Sequence, residues 1–201
     1  MKLNSRAYPR SRKDREFLDK KHDGLHARSR TIWARGPSSF TRPFFVVWRT
    51  VHGEEKAGVV ADLRPINRAA VPDCSPLPLQ SDVIGSIRGN GSLTIIHATS
   101  FFFQFPVYPD HRDRFTIVGH RGLETSTVAL MCFRNSPAYV QRFMDELLWP
   151  HQTYCRSFID DIIVYSGTFE EHRSHLDTIF STFTERGMSL SSDILLGFYV
   201  D

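Results

Sequence analysis

Tyr154-Cys155-Arg156-Ser157-Phe158-Ile159-Asp160-Asp161-Ile162-Ile163-Val164-Tyr165 is the stretch on which the reading of this chain turns. Tyr154 to Phe158 lead in and Ile162 to Tyr165 lead out, both rich in β-formers, so the pattern predicts a hairpin with Asp160 and Asp161 at its tip. Adjacent carboxylates repel each other unless a cation sits between them. Rigid strands that present paired acids at a turn are one way to hold metal ligands for nucleotidyl transfer. A surface hairpin that uses acids for solubility has the same pattern, and these residues alone do not choose between the two.

The chain has 201 residues, enough for one large domain or two small lobes with a core. No apolar run approaches the roughly 20 residues of a membrane span. Met1 to Arg6 have no apolar stretch behind them, so no secretory signal is expected. The expected location is intracellular, nucleus or cytoplasm. Asp14 and Glu16 follow the basic start closely, which leaves mitochondrial targeting with little support. Cys74, Cys132 and Cys155 are odd in number and form no CxxC pair. A zinc site or disulfide framework is therefore not expected, and a reducing compartment fits.

The net charge of +3 hides an asymmetry. Residues 1–70 hold 16 Lys+Arg against 7 Asp+Glu, whereas the remainder holds 9 against 15. One basic and one acidic part suit a protein that grips a polyanion with the first and binds cations with the second. A solvated basic surface fits the same counts.

Residues 1–10 read as an untethered basic tail. Ser11 to about Arg28 reads as a helix opened by a Ser11/Asp14 capping box. Pro43–Val51 and Gly58–Leu63 read as a hairpin around a Gly53-Glu54-Glu55 turn. Pro72, Pro76 and Pro78 make Val71–Leu79 an extended connector. Ser81 is placed to cap a short helix through Ile87, and Leu93–Ile96 reads as a strand before the cluster Phe101-Phe102-Phe103. Phe115–Val118 and Leu123–Val128 form a second hairpin. Ser136-Pro137 opens a helix with an apolar stripe of Tyr139, Phe143 and Leu147 beside Val140, Met144 and Leu148. The last helix starts at Thr168, capped with Glu171, buries Leu176, Ile179 and Phe183, and ends at Gly187. Helices alternating with antiparallel hairpins argue for an α+β fold.

Six segments then fall in one order: Val60-Ala61-Asp62-Leu63-Arg64-Pro65-Ile66-Asn67, Val71-Pro72-Asp73 with Pro76-Leu77-Pro78, Gln104-Phe105-Pro106-Val107, Asp113-Arg114-Phe115-Thr116, Arg134 to Asp145, and Phe158-Ile159-Asp160-Asp161. Together they resemble the reverse transcriptase domain of gypsy-like LTR retrotransposons, most closely those of fungal genomes, over roughly residues 10–199. The resemblance implies polymerase fingers and palm: a basic tail at 1–10, fingers over 11–70, and a palm over 71–201 that includes the remaining fingers hairpin. An antiparallel palm sheet backed by helices is expected, with no thumb within this stretch. The implied reaction is RNA-directed DNA synthesis by two-metal nucleotidyl transfer on a primer–template of RNA and DNA, with a deoxynucleoside triphosphate as substrate. Further polyprotein domains are implied partners if the product is longer, and a membrane is not.

By the same resemblance Asp160 and Asp161 are catalytic metal ligands for two Mg²⁺ ions. Ser100 and Phe101 offer backbone N–H groups to the triphosphate, and Phe102 packs under the sugar. Arg64, Ser136, Pro137 and Gln141 lie toward template and primer. Core packing for Phe102, a helix start for Ser136, Pro137 and Gln141, and a strand-bridging role for Arg64 are equally open. The chain departs from the family at the third ligand, where His97 stands in place of an aspartate. Neutral imidazole is a poor Mg²⁺ ligand and suits transition metals better, which leaves Mn²⁺ open as the alternative ion. Gly58 replaces an arginine that contacts triphosphate, with Lys56 nearby; Cys132 replaces a glycine; and Ser191–Ile194 lack a lysine. These losses together imply an impaired copy, or a catalytically dead remnant that binds nucleic acid.

Overall fold

The structure is a computed structural model that describes residues 5–198. Along the chain run α1 (Arg12–Ala27), β1 (Thr31–Trp33), β2 (Arg42–Val51), β3 (Glu54–Ala61), α2 (Arg64–Ala69), α3 (Gln80–Ile87), β4 (Ser92–Ala98), β5 (Thr116–Val118), β6 (Leu123–Ser126), α4 (Ser136–Leu148), β7 (Cys155–Phe158), β8 (Asp161–Ser166), α5 (Phe169–Glu185) and β9 (Leu190–Phe198). Contacts divide them into two units. One holds the chain up to Pro72 together with Phe105–Ser136; the other holds Asp73–Gln104 and the chain from Pro137 on.

In the first unit the described residues form a sheet of order β1-β6-β5-β2-β3. It is mixed, because β2 runs parallel to β5 (Arg42↔Ile117, Pro43↔Val118), which corrects the expectation of antiparallel hairpins alone. The excursion of more than 60 residues between these strands supplies the long crossover that a parallel pairing requires. The β2–β3 hairpin turns at His52-Gly53 rather than at Gly53-Glu54-Glu55. Both turn residues have positive φ (51° and 81°), as a two-residue turn matched to strand twist demands, and β3 therefore starts at Glu54.

The segment read as an untethered tail is tied down from Ser5 onward. Ser5 N–H donates to Thr41 O at 3.1 Å, Tyr8 Oη to Asp62 at 3.2 Å, and the Arg10 guanidinium to Phe44 O at 2.7 Å while lying 4.3 Å over the Phe44 ring. Its arginine anchors the unit's own strand instead of trailing in solvent. The α1 capping box forms as expected. Behind it lies a feature that no sequence motif announced: Glu124, fully buried on β6, faces His22 Nδ1 at 2.7 Å and His26 Nε2 at 3.0 Å. His22 and His26 are one turn apart on α1, so one carboxylate locks the helix to the sheet. Burial works to raise the Glu124 pKa, but the hydrogen bonds from both histidines outweigh it and hold the carboxyl below its ordinary value.

In the second unit the described residues form a sheet of order β7-β8-β4-β9, antiparallel throughout. Its period-two pattern is clean on β4: Ser92, Thr94, Ile96 and Ala98 are buried, while Leu93, Ile95 and His97 face the other side. α5 packs on β8 and β4, capped by Thr168 and Glu171 as expected. It is pinned by Ser166 Oγ, which shares hydrogen bonds with His172 Nδ1 (3.0 Å) and His175 Nδ1 (2.8 Å), and by Thr94 Oγ1, 2.7 Å from His172 Nε2. Burial, with His175 adjacent, lowers the His172 pKa.

Two helix details depart from expectation. α3 starts at Gln80 after Leu79, with no side-chain cap, so Ser81 lies inside it. On α4 the buried side is Ala138, Val140, Gln141, Met144, Leu147 and Leu148, while Tyr139 is exposed. A polar glutamine takes a core position that an apolar stripe assigned to an aromatic, and the reason lies in the β7–β8 turn.

Candidate active site

Phe158 and Asp161 pair across the β7–β8 hairpin, so the turn consists of Ile159 and Asp160. Ile159 has φ 56°. A two-residue turn that suits strand twist needs a positive φ at this position, which normally means glycine. A β-branched residue there is a genuine outlier that persists only when its surroundings impose it.

Gln141 imposes it. Its side chain is 1% exposed. Its Oε1 accepts from Ile159 N–H at 2.7 Å, and its Nε2 donates to Asp145 Oδ1 at 2.7 Å and to Ser157 Oγ and O at 3.2 and 3.3 Å. The side chain expected to lie toward template is thus an internal brace of the acid-bearing turn. Its amide exchanges four hydrogen bonds with protein groups, which is why it tolerates the core of α4.

β4 lies beside β8, and His97 stands directly opposite Asp161 in the register. His97 Nδ1 is 3.1 Å from Asp161 Oδ1, and its Nε2 is 3.4 Å from Asp160 Oδ2. The ring is about half exposed, and the carboxylates are partly so. Ala98 N–H donates to Asp160 O at 2.8 Å, which fixes the turn to the end of β4. One ligand atom from each of His97, Asp160 and Asp161 lies within 4.8 Å of the others, and among the described residues this is the one such group of His, Cys, Asp and Glu. Separations of this order can close around one divalent ion through side-chain rotation, because ligands about 2.1 Å from an octahedral centre stand roughly 3 Å apart. The donor set is two carboxylate oxygens and one imidazole nitrogen. It fits a single divalent ion and does not fit a pair of Mg²⁺ ions, which ask for oxygen donors throughout.

The segment after β4 is also ordered by side chains. Ser100 is exposed with φ 51°, and Phe103 N–H donates to Ser100 O at 2.9 Å. Phe101 and Phe102 are buried and meet edge to face at 5.8 Å, so Phe102 packs into the core of its unit. Gln104 clamps this segment to the start of β9: its Nε2 donates to Thr99 O and Ser189 O, and its Oε1 accepts from Ser189 N–H.

The remaining candidates have local partners. Arg64 donates through Nε and NH2 to the two oxygens of Asp62, each at 2.8 Å. That guanidinium lowers the Asp62 pKa to about 2. Ser136 is buried and donates to Leu130 O at 2.8 Å, and Pro137 is half-buried in the first turn of α4. On β3, Gly58 pairs with Val47 of β2, and Lys56 with Arg49. Cys132 is accommodated in a turn, where its O accepts from Asn67 Nδ2 at 2.9 Å. Sequence reasoning missed Gln141 as a brace and Gln104 as a clamp. The signal for Gln141 was legible: a glutamine at i+1 of Val140 and three before Met144 sits on the buried side of a helix, where an amide needs internal partners.

Residues 57–193, more than half the chain, match the family model described as reverse transcriptase (RNA-dependent DNA polymerase). The chain belongs to the reverse transcriptase family. Among curated proteins, this chain is 26% identical over 159 residues to the retrovirus-related Pol polyprotein from transposon 297 of Drosophila melanogaster, covering 78% of this chain and 15% of that protein. It is 26% identical over 148 residues to the enzymatic polyprotein of cauliflower mosaic virus (strain NY8153), covering 74% of the chain and 22% of the polyprotein. The chain thus spans about a fifth or less of the length of these relatives. Its fold is similar to part of the prototype foamy virus protease-reverse transcriptase, with TM-score 0.83 at 19% identity, over 98% of this chain and 26% of that one. A foamy viral protease-reverse transcriptase in complex with double-stranded DNA superposes with TM-score 0.78 at 21% identity, over 97% of this chain and 34% of that one. No helix among the described residues is long and apolar enough to cross a membrane.

Proposed function

We propose that this reverse transcriptase is the fingers and palm of a gypsy-like LTR retrotransposon of fungal type, built for RNA-directed DNA synthesis and impaired in Mg²⁺ by His97. The observation that carries the impairment is the placement of His97 directly opposite Asp161, with Nδ1 3.1 Å from the Asp161 carboxylate and Nε2 3.4 Å from that of Asp160. In this reading Asp160 and Asp161 hold the divalent cation. A cation bound there supplies Lewis-acid stabilisation of the oxygens that gain charge during nucleotidyl transfer. Ser100 and Phe101 present backbone N–H groups to the triphosphate of the incoming nucleotide, and Phe102 forms the floor beneath its sugar. Ser136 and Pro137 set the α4 start against the primer–template. Gln141 serves the same end indirectly, by holding the turn, and Arg64 braces Asp62 rather than reaching the template.

Primer extension on an RNA template tests this, with the natural chain beside His97→Asp and Asp160→Asn, in Mg²⁺ and separately in Mn²⁺. In Mg²⁺ His97→Asp is expected to exceed the natural chain by about 100-fold or more, the scale lost when one charge-stabilising group is removed. Asp160→Asn is expected to be silent in both metals. Robust extension by the natural chain in Mg²⁺ would sink the impairment.

The basic balance of residues 1–70 supports a second reading, a remnant that only binds nucleic acid. That reading predicts duplex binding with a steep salt dependence and no extension by any variant.

A further inference from the structure

We infer that His97, Asp160 and Asp161 form a mixed nitrogen–oxygen site that takes one divalent first-row transition ion, with His97 as a direct ligand, in preference to Mg²⁺. The inference rests on the reading of Asp160 and Asp161 as metal ligands and goes beyond it, because it assigns stoichiometry, ligand set and metal class.

Three observations converge. The first is placement. His97 and Asp161 are directly opposed on neighbouring strands, and Asp160 is fixed to the end of β4 by the Ala98 N–H bond, so all three donors belong to one rigid corner of the second unit. The second is chemistry. A neutral imidazole nitrogen suits Mn²⁺, Fe²⁺, Co²⁺ or Zn²⁺, while carboxylates accept Mn²⁺ as readily as Mg²⁺; transition ions satisfy both donor types and Mg²⁺ only one. The third is count. Two-metal sites keep their ions about 3.5–4 Å apart through a bridging carboxylate, whose two oxygens lie side by side. The two nitrogens of an imidazole point away from each other, so the ring in the bridging position serves one ion. Two dications would also face two carboxylates instead of three. The ring and both acids are partly exposed, which leaves the outer coordination positions open to water or to an oxygen ligand.

The probe is MnCl₂ with the purified full chain, read by equilibrium binding and by pulsed electron paramagnetic resonance. The resonance detects the ¹⁴N of a directly bound imidazole through its modulation of the Mn²⁺ signal. The natural chain is expected to bind one Mn²⁺ with ¹⁴N modulation and to resist Mg²⁺ competition by about tenfold or more. His97→Asp is expected to lose the modulation and the Mn²⁺ preference, and Asp160→Asn to lose most of the affinity. Mn²⁺ bound without ¹⁴N modulation, or with two ions per chain, overturns the inference while leaving the acids as ligands. Binding that Asp160→Asn leaves unchanged overturns both. If the natural chain binds no Mn²⁺ but His97→Asp does, His97 excludes metal instead of ligating it; the inference fails and the reading of the acid pair stands.

Discussion

At the scale of single residues, the acid pair is held by groups that do not touch it. Ile159 sits at a positive φ that its β-branched side chain disfavours, and the buried amide of Gln141 answers its N–H. Gln141→Met, close in shape and unable to hydrogen-bond through its end, orphans the Ile159 N–H and the Ser157 hydroxyl. We expect a loss of about 2–3 kcal/mol in chemical denaturation, the scale of leaving a buried donor unpaired. We also expect Mn²⁺ affinity to fall although no ligand is changed. An unaltered affinity in a folded Gln141→Met variant would show that the turn keeps its shape without the brace. The Asp62–Arg64 pair is different in kind. It is local and partly exposed, and although Arg64 lowers the Asp62 pKa to about 2, solvent screening makes its removal a minor event for stability.

At the scale of elements, local signals were the reliable ones. Ser11 with Asp14 and Thr168 with Glu171 form the two capping boxes that their spacing announced, and Gly187 (φ 65°) closes α5. Thr168→Ala is expected to cost about 1 kcal/mol, read from the urea midpoint, because the Glu171 N–H loses its acceptor. The same local reasoning failed where a distant strand decided. The β2–β3 turn slid to His52-Gly53 because the register is set by the pairing of the whole ladder, from Phe44↔Ala61 to Val51↔Glu54. Tyr139 left the core because the buried side of α4 must present Gln141 to a turn 18 residues away.

At the scale of the whole molecule, each unit carries a buried polar knot that periodicity does not reveal. In the first unit Glu124 receives His22 and His26, with Arg121 NH2 4.0 Å from its other oxygen. Because the folded carboxyl lies below its ordinary value of 4.5, its stabilisation is complete above that pH and is lost as pH falls through the lower folded value. Urea midpoints read from about pH 6 down to about pH 3 should therefore drop on the acid side. Glu124→Gln should flatten that drop while lowering stability at neutral pH. Trp33, stacked on His26 at 4.8 Å, is the natural fluorescent reporter. An acid limb that survives in Glu124→Gln would place the sensitivity elsewhere. Charge also acts at this scale: duplex binding by the natural chain should weaken steeply with added salt, through the basic balance of residues 1–70.

The sequence by itself determined the family, most of the helices and strands, and the hairpin with two acids, since these depend on spacing, β-propensity and caps, which act over a few residues. It also singled out His97 as a departure from the family's pattern beside the acid pair. Only the tertiary structure decided that His97 reaches both carboxylates, that Gln141 braces the turn, that Glu124 joins α1 to β6, and that β2 runs parallel to β5. Each of these joins residues tens of positions apart or depends on the direction of a buried polar side chain. A buried amide or carboxylate goes where its hydrogen bonds can be satisfied, and the chain's local pattern carries no record of where that is.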